Sequence, residues 1–276
     1  MRSRYAGEIY LSFTRRGEQT VADRTFRRGN SRISANNAPG NETPYYFLIS
    51  TGGGFTEGEQ YLQDISLGES THAILTTQAP GYIYKCENGR LTEQKFQIRI
   101  GDGACLEYYQ DETIPYALAR FRQRTEIELG RGSRLLLTDG LTAGWSADEQ
   151  PFQYHDIGIC TRVRRNGRLL LNDSLLVNPS ADPMGEIGYF EGFTNYNSAV
   201  FFDVSIEPET VDQMRESLAD LSTESMWGLT YLDGGGALLR VMGGSLHENR
   251  RVEEAWIRYC REKLCGYAPF RLRKTM

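Results

Sequence analysis

What most limits the fold of this chain is its long run of short alternating segments, each closed by a tight-turn signal, up to about residue 204. "GEIYLSFTR" and "KFQIRI" (Lys95–Ile100) alternate apolar with small or polar side chains, so each can bury one face of an extended strand. "HAILTT", "YIYKC", "ACLEYY", "TEIEL", "SRLLLTD", "DIGICTRV", "RLLLNDSLLV" and "AVFFDVS" continue the pattern. Asn88-Gly89 and Asn166-Gly167 are candidate hairpin turns, and Gly101-Asp102-Gly103 marks another chain reversal. Such spacing predicts a sandwich, a barrel or a strand-rich solenoid, although no fixed repeat length is visible. The 29 glycines, with 28 tyrosines and phenylalanines, suit strands joined by tight turns and do not suit a helical bundle.

Two helices are predicted near the end. Pro208 stands near the start of the first, with Val211, Met214, Leu218 and Leu221 at helical spacing. Ser245-Leu246-His247-Glu248 has the spacing of a capping box and opens the second, whose apolar stripe is Val252, Ala255, Trp256, Tyr259 and Leu264. The basic tail "FRLRKTM" is expected to fray. No linker rich in Pro, Gly and Ser divides the 276 residues, so one domain spanning 1–276 is expected, mainly β with two α-helices near the C-terminus.

Several function classes lack support. A net charge of −5 argues against a general nucleic-acid binder. No segment approaches the apolar length of a membrane span, and the start lacks the apolar run of a signal peptide, so a cytoplasmic protein is expected. The five cysteines form no C-x-x-C pair, which leaves no zinc or redox signature. His247 and Glu248 are followed by Arg251 where a metalloprotease helix needs a second histidine. His155-Asp156 lacks the Gly-x-Ser-x-Gly elbow of a serine hydrolase.

"GGFTEGEQ" spaces Gly53 and Gly58 as a phosphate-cradling loop does, but Glu59 and Gln60 stand where Lys and Ser or Thr are required. A carboxylate there would repel phosphate. The glycine turn after the apolar run Tyr45–Ile49 and the acidic turn Asp111-Glu112 are both flanked by buried-strand patterns, where a scaffold can hold functional carboxylates.

The ordered series "GGGFTEGEQYLQDISL", "HAILTTQAPGYIYK", "ACLEYYQDETIPYALARF", "LLLTDGLTAGW" and "GEIGYFEGFTNYNSA" resembles the urease accessory protein UreD family, also called UreH, over essentially the whole chain. Its motif positions here include Gly53, Gly54, Gly58, Thr76, Thr77, Gln78, Tyr84 and Lys85. Glu59 replaces the family's usual Asp, and Tyr82 replaces a common Lys before Ile83-Tyr84. The resemblance implies a β-helix-like, two-layer β structure. It also implies a non-enzymatic scaffold that links urease apoprotein to UreF and the GTPase UreG for nickel delivery, with an internal water-filled passage as the route. No permanently bound cofactor is implied, only nickel in transit.

Hard oxygen ligands suit such transit, because a site that held nickel tightly would not release it. On that ground Glu57, Glu59, Glu107, Asp111, Glu112 and Asp139 are the expected contributors to the path or its entrance. The absence of a His or Cys cluster in the sequence fits passage rather than storage. An apolar partner surface is expected near the C-terminal helices. A carboxylate-based glycan-active enzyme and a stand-alone metal-binding module are the competing readings.

Overall fold

The computed structural model describes residues 4–35 and 43–268. Strand β1 (Gly7–Arg16) reverses into β2 (Gln19–Gly29), and β3 (Ser31–Ala35) and β4 (Tyr45–Ser50) follow. A coil is then repeated. It runs β5 (Gln60–Leu67), β6 (His72–Thr77) and β7 (Gly81–Ile83), and again β8 (Thr92–Ile100), β9 (Cys105–Tyr109) and β10 (Thr113–Pro115). The next turn comprises β11 (Arg120–Leu129) and β12 (Arg134–Thr142), after which β13 (Asp156–Arg165) starts another and reverses into β14 (Arg168–Val177). The last part contains β15 (Asn195–Phe202), helix α1 (Pro208–Ala219), β16 (Met226–Leu232), β17 (Gly236–Gly243) and helix α2 (Leu246–Tyr259), which continues as a π-helical turn, Cys260–Leu264.

Consecutive strands of a coil enter different sheets. One sheet has the order β14-β13-β11-β8-β5-β1-β2 and the other β16-β17-β15-β12-β9-β6-β4-β3. From β13 to β1, and from β12 to β4, all neighbours are parallel, as a solenoid requires. Both ends of the first sheet are antiparallel reversals, β2 and β14. The short strands β7 and β10 pair in parallel to form a partial third wall.

Glycine corners let the coils stack. A Cβ on Gly101 would lie 2.9 Å from the Leu67 carbonyl oxygen and the Gly68 carbonyl carbon of the coil before. The amide of Gly101 donates to that same Leu67 oxygen at 2.8 Å, so any side chain there would open the stack.

The space between the sheets near these corners is filled by Ile9, Ile65, Leu67, Phe96, Ile98, Leu106, Tyr108, Leu135, Leu137 and Phe202, among others. The outer face of the larger sheet carries a second apolar layer, in which Ile74, Leu136, Phe201 and Leu239 meet Val211, Met214, Leu218, Val252 and Trp256 of the two helices. The predicted stripes are therefore core. Among the described residues, large exposed apolar side chains include Trp145, Leu169, Leu176 and Ile187 away from the helices, and Val204 and Met226 in the segments that flank α1 in the chain.

Other expectations need correction. Asn88-Gly89 is a turn but not a hairpin, because β7 and β8 join different neighbours. Asn166-Gly167 does close a hairpin, with Arg165 opposite Arg168 and both turn residues at positive φ. Ser245 makes no side-chain cap on α2, and the Glu248 carboxylate that would complete a capping box is held by Arg251 at 2.9 and 3.0 Å. Strands β16 and β17, unforeseen in the sequence, lie between the two helices. The tail "FRLRKTM" lies outside the described residues.

Candidate functional site: a polar space between the sheets

Parallel stacking sets side chains from successive coils in rows. In the smaller sheet Tyr61 pairs with Gln94 and Gln94 with Gln123, so three buried polar side chains line up across β5, β8 and β11. In the facing sheet Thr76 pairs with Tyr109 and Tyr109 with Thr138. The residues that follow them, Thr77, Gln110 and Asp139, thus share the inner face, and Ser198 continues the row opposite Asp139. Between the rows lies a cavity of about 440 Å³. Its walls include Gln63, Gln94, Gln123, Thr77, Gln110 and Asp111, with Gly53, Gly54 and Tyr82 at one side.

Asp139 lines a separate, smaller space of about 30 Å³, the size of one water, together with Asp173 and Tyr196. Gln123 donates its amide to Asp139 Oδ2, and the Gly140 backbone donates to Oδ1 at 2.8 Å. The residue is half-buried. Burial, stronger than the two donors that favour the anion, pushes its pKa up to about 7. At neutral pH Asp139 is thus poised between acid and carboxylate.

The other predicted residues are spread over several settings. Asp111 lines the cavity and accepts from the Thr77 hydroxyl at 2.8 Å. Glu112 is buried, and both of its oxygens are engaged: Oε1 accepts from Asn197 at 2.9 Å and from Arg250 Nε at 3.1 Å, and Oε2 accepts from Arg250 Nη2 at 2.5 Å. A carboxylate neutralised in this way is ill suited to acid–base work. Gly140 makes room for it, since a Cβ there would lie 2.8 Å from Glu112 Cγ. Glu59 receives the hydroxyl of Tyr61, which lines the cavity. Glu57 is a turn anchor. Its carboxylate accepts from the backbone amides of Asn88 and Arg90 and from the Asn88 side chain, and these bonds, the Arg90 amide foremost, hold its pKa low.

Glu107 is on the opposite face of β9 from the cavity. Its neighbour Tyr108 points inward and donates to Gln63 at 2.8 Å, while Glu107 meets His72 and Arg261. Burial alone would raise its pKa, but the hydrogen bond from His72 and the Arg261 charge hold it below the usual carboxylate range.

The sequence motif residues are mostly structural. Gly53 and Gly58 take positive φ, and the stretch delivers Phe55 to a parallel bridge with Ile83. Thr76 donates to the Tyr109 carbonyl at 2.7 Å, Gln78 lines the cavity, Tyr84 packs edge-on against Tyr116, and Lys85 pairs with Glu87 at the surface.

One expectation is overturned here. The histidines and cysteines are dispersed in the sequence, yet His72, Cys105 and Glu107 bring one donor atom each within 4.8 Å of one another. His72 and Cys105 are register partners in β6 and β9, thirty-three residues apart, a proximity only the coil creates. Sequence inspection also missed the glutamine row. Its signal was a polar residue at a buried parity, Gln94 in β8 and Gln123 in β11.

Among the described residues no helix is long and apolar enough to cross a membrane. The family profile described as "UreD urease accessory protein" matches residues 5–275. Urease accessory protein UreD of Streptococcus salivarius is 40% identical over 275 residues, covering 100% of this chain and 99% of the relative. The UreD of Streptococcus thermophilus is 40% identical over 271 residues, 98% of this chain and 97% of its own length, and that of an Arthrobacter species 30% identical over 275 residues, 97% and 94%. The chain belongs to the urease accessory protein UreD family.

Proposed function

We propose that this protein serves urease maturation as a scaffold between urease apoprotein and the accessory proteins UreF and UreG, and that nickel travels through the space between its sheets. Membership of the family supports the maturation role. The observation that carries the route is the polar space itself. Glutamine, threonine and carboxylate oxygens line it among apolar side chains, and Gln123 in its wall is hydrogen-bonded to Asp139, which lines the smaller space beyond. Such oxygens exchange with water readily, so an ion can be passed along without being trapped. Asp139, balanced near neutrality, would lose its proton as a cation arrives and regain it as the cation leaves. On this reading the chain makes no bonds itself and works as a helper in the cytoplasm.

The test is urease maturation with Gln123→Leu, which puts an apolar side chain beside Asp139. Nickel content of the matured urease should fall severalfold while UreF and UreG still co-purify with the variant. Full metallation by that variant would remove the route, and loss of co-purification in the wild type would remove the scaffold.

A further inference from the structure

On the outer face of the larger sheet, away from the inter-sheet space, the donors of His72, Cys105 and Glu107 converge. We propose that these three side chains form a labile site for a divalent ion of the nickel–zinc type, capped by the C-terminal segment. This goes beyond the transit route, whose lining faces the other side of the sheet, and it stands or falls independently of it.

The donor set is the first argument. An imidazole nitrogen, a thiol sulfur and a carboxylate oxygen together select late first-row ions over magnesium or calcium, which prefer oxygen alone. Three protein ligands leave a fourth position for water, the arrangement of an exchangeable site rather than a closed structural one. Metal bonds of 2.0–2.3 Å imply donor separations of roughly 3.3–3.8 Å, so His72 and Glu107, now 2.7 Å apart, would part slightly and the longer separations, within 4.8 Å, would close.

The surroundings are the second. His72 Nε2 lies 2.7 Å from Glu107 Oε1, so a proton now occupies the line an ion would take. His72 Nδ1 takes that proton when the imidazole changes tautomer, and Thr43 Oγ1, 3.4 Å away, can accept a hydrogen bond from it. The Cys105 thiol gives up its own proton to solvent on binding, so one proton leaves per ion bound to a neutral histidine. Glu107 Oε2 already receives the Tyr109 hydroxyl and the Arg261 guanidinium, which fix the carboxylate from behind and leave Oε1 toward the cluster. His72 retains some exposure, which gives an ion its approach, whereas Cys105 and Glu107 are buried.

The cap is the third. Tyr267 stacks on His72, with ring centroids 4.5 Å apart and planes at 19°, and the guanidinium of Arg261 lies 5.6 Å from the same tyrosine ring. The Tyr267 amide donates to the Arg261 carbonyl, and Arg261 Nη2 donates to the Ala268 carbonyl, so the π-helical turn and the residues after it form one lid. Displacing that lid opens the site, and when no ion is there the Arg261 charge, at the other carboxylate oxygen, is what offsets Glu107.

The experiment uses the full chain alone, without urease, titrated with Ni²⁺ and, as an optical probe, Co²⁺. One saturable equivalent is expected, with sulfur in the nickel coordination shell by X-ray absorption and a thiolate-to-cobalt charge-transfer band. Cys105→Ser should abolish the band and weaken Ni²⁺ binding by more than the roughly tenfold that loss of an outer-shell partner costs, whereas Cys160→Ser, at a cysteine on β13 of the other sheet, should change neither. Arg261→Gln should make Ni²⁺ raise the melting temperature more than in the wild type, because the ion then restores the missing positive charge. A wild-type nickel shell of nitrogen and oxygen only would overturn the site, and this reading needs no variant to fold. A band that survives Cys105→Ser, or a smaller nickel effect in Arg261→Gln, would overturn it as well.

Discussion

Arg250 of helix α2 grips Glu112 by both carboxylate oxygens, Nε on Oε1 at 3.1 Å and Nη2 on Oε2 at 2.5 Å, and the same Nη2 lies 3.2 Å from Asp111. The acidic turn that closes one coil is thereby tied to the helix that covers the sheet. A pair of carboxylates that looks in sequence like an open ligand site is instead the joint between the coil and its helical layer.

That joint predicts a stability effect ahead of any metal effect. Glu112→Gln keeps the shape but removes the charge opposite Arg250, which is itself partly exposed. The expected cost is about 1–3 kcal/mol in urea unfolding, below that of a fully buried pair. Unchanged stability would mean that the contact carries no load.

Asp139 predicts a pH dependence. Its folded pKa, about 7, is raised above the unfolded value of about 3.8, so the folded state holds the proton more tightly. Stability should therefore fall as pH rises from about 4 to 7 and stay low above that, a loss on the order of 4 kcal/mol at about 1.4 per unit. Asp139→Asn cannot ionise. Its stability curve, followed by thermal melts from pH 4 to 8, should be flatter over that window and higher than the wild type at pH 8. Parallel curves would show that Asp139 is an ordinary carboxylate.

Gly140→Ala tests the close crossing of Glu112. The new Cβ would sit 2.8 Å from Glu112 Cγ and 2.9 Å from the Tyr196 carbonyl oxygen. About 1–3 kcal/mol should be lost. Gly228→Ala in β16 meets nothing within 4 Å and should stay within about 0.5 kcal/mol. Equal costs at the two positions, compared by chemical denaturation, would refute the steric account.

Trp256 is fully buried between α2 and α1, and its indole N–H donates to Met214 Sδ at 3.4 Å. Trp256→Ala should cost about 3–5 kcal/mol. Hydrogen exchange should rise first across Pro208–Ala219 and Leu246–Tyr259, since this side chain joins the two helices. Protection lost evenly across both sheets instead would mean that the helical layer does not open as a unit.

Local pattern was legible because alternation and turn residues act within ten residues or so. "KFQIRI" lies within β8, the stretch led by Pro208 is α1, and Asn166-Gly167 closes its hairpin. Pairing was not legible, because strands adjacent in the chain enter different sheets and partners lie a whole coil apart. Coil length also varies: Gln60 meets Glu93, Thr92 meets Phe121 and Arg120 meets Asp156, offsets of 33, 29 and 36 residues. That is why no fixed period could be read. The same distances hid the union of His72 with Cys105 and the row of Gln94 with Gln123. Charge was legible but its setting was not. Glu57 caps a backbone turn, Glu112 braces a helix, and Asp139 faces an internal space, yet all three are simple acidic letters in the sequence.

The reversed strands at the two ends of the smaller sheet carry a further consequence. A stack of parallel coils left bare would offer each end as a template for a second molecule, and growth could continue into fibres. Here β2 and β14 turn the chain backward at those limits, and β2 presents the exposed arginines Arg24, Arg27 and Arg28. The arginines of one β2 would repel those of another, so two molecules are discouraged from joining through that edge.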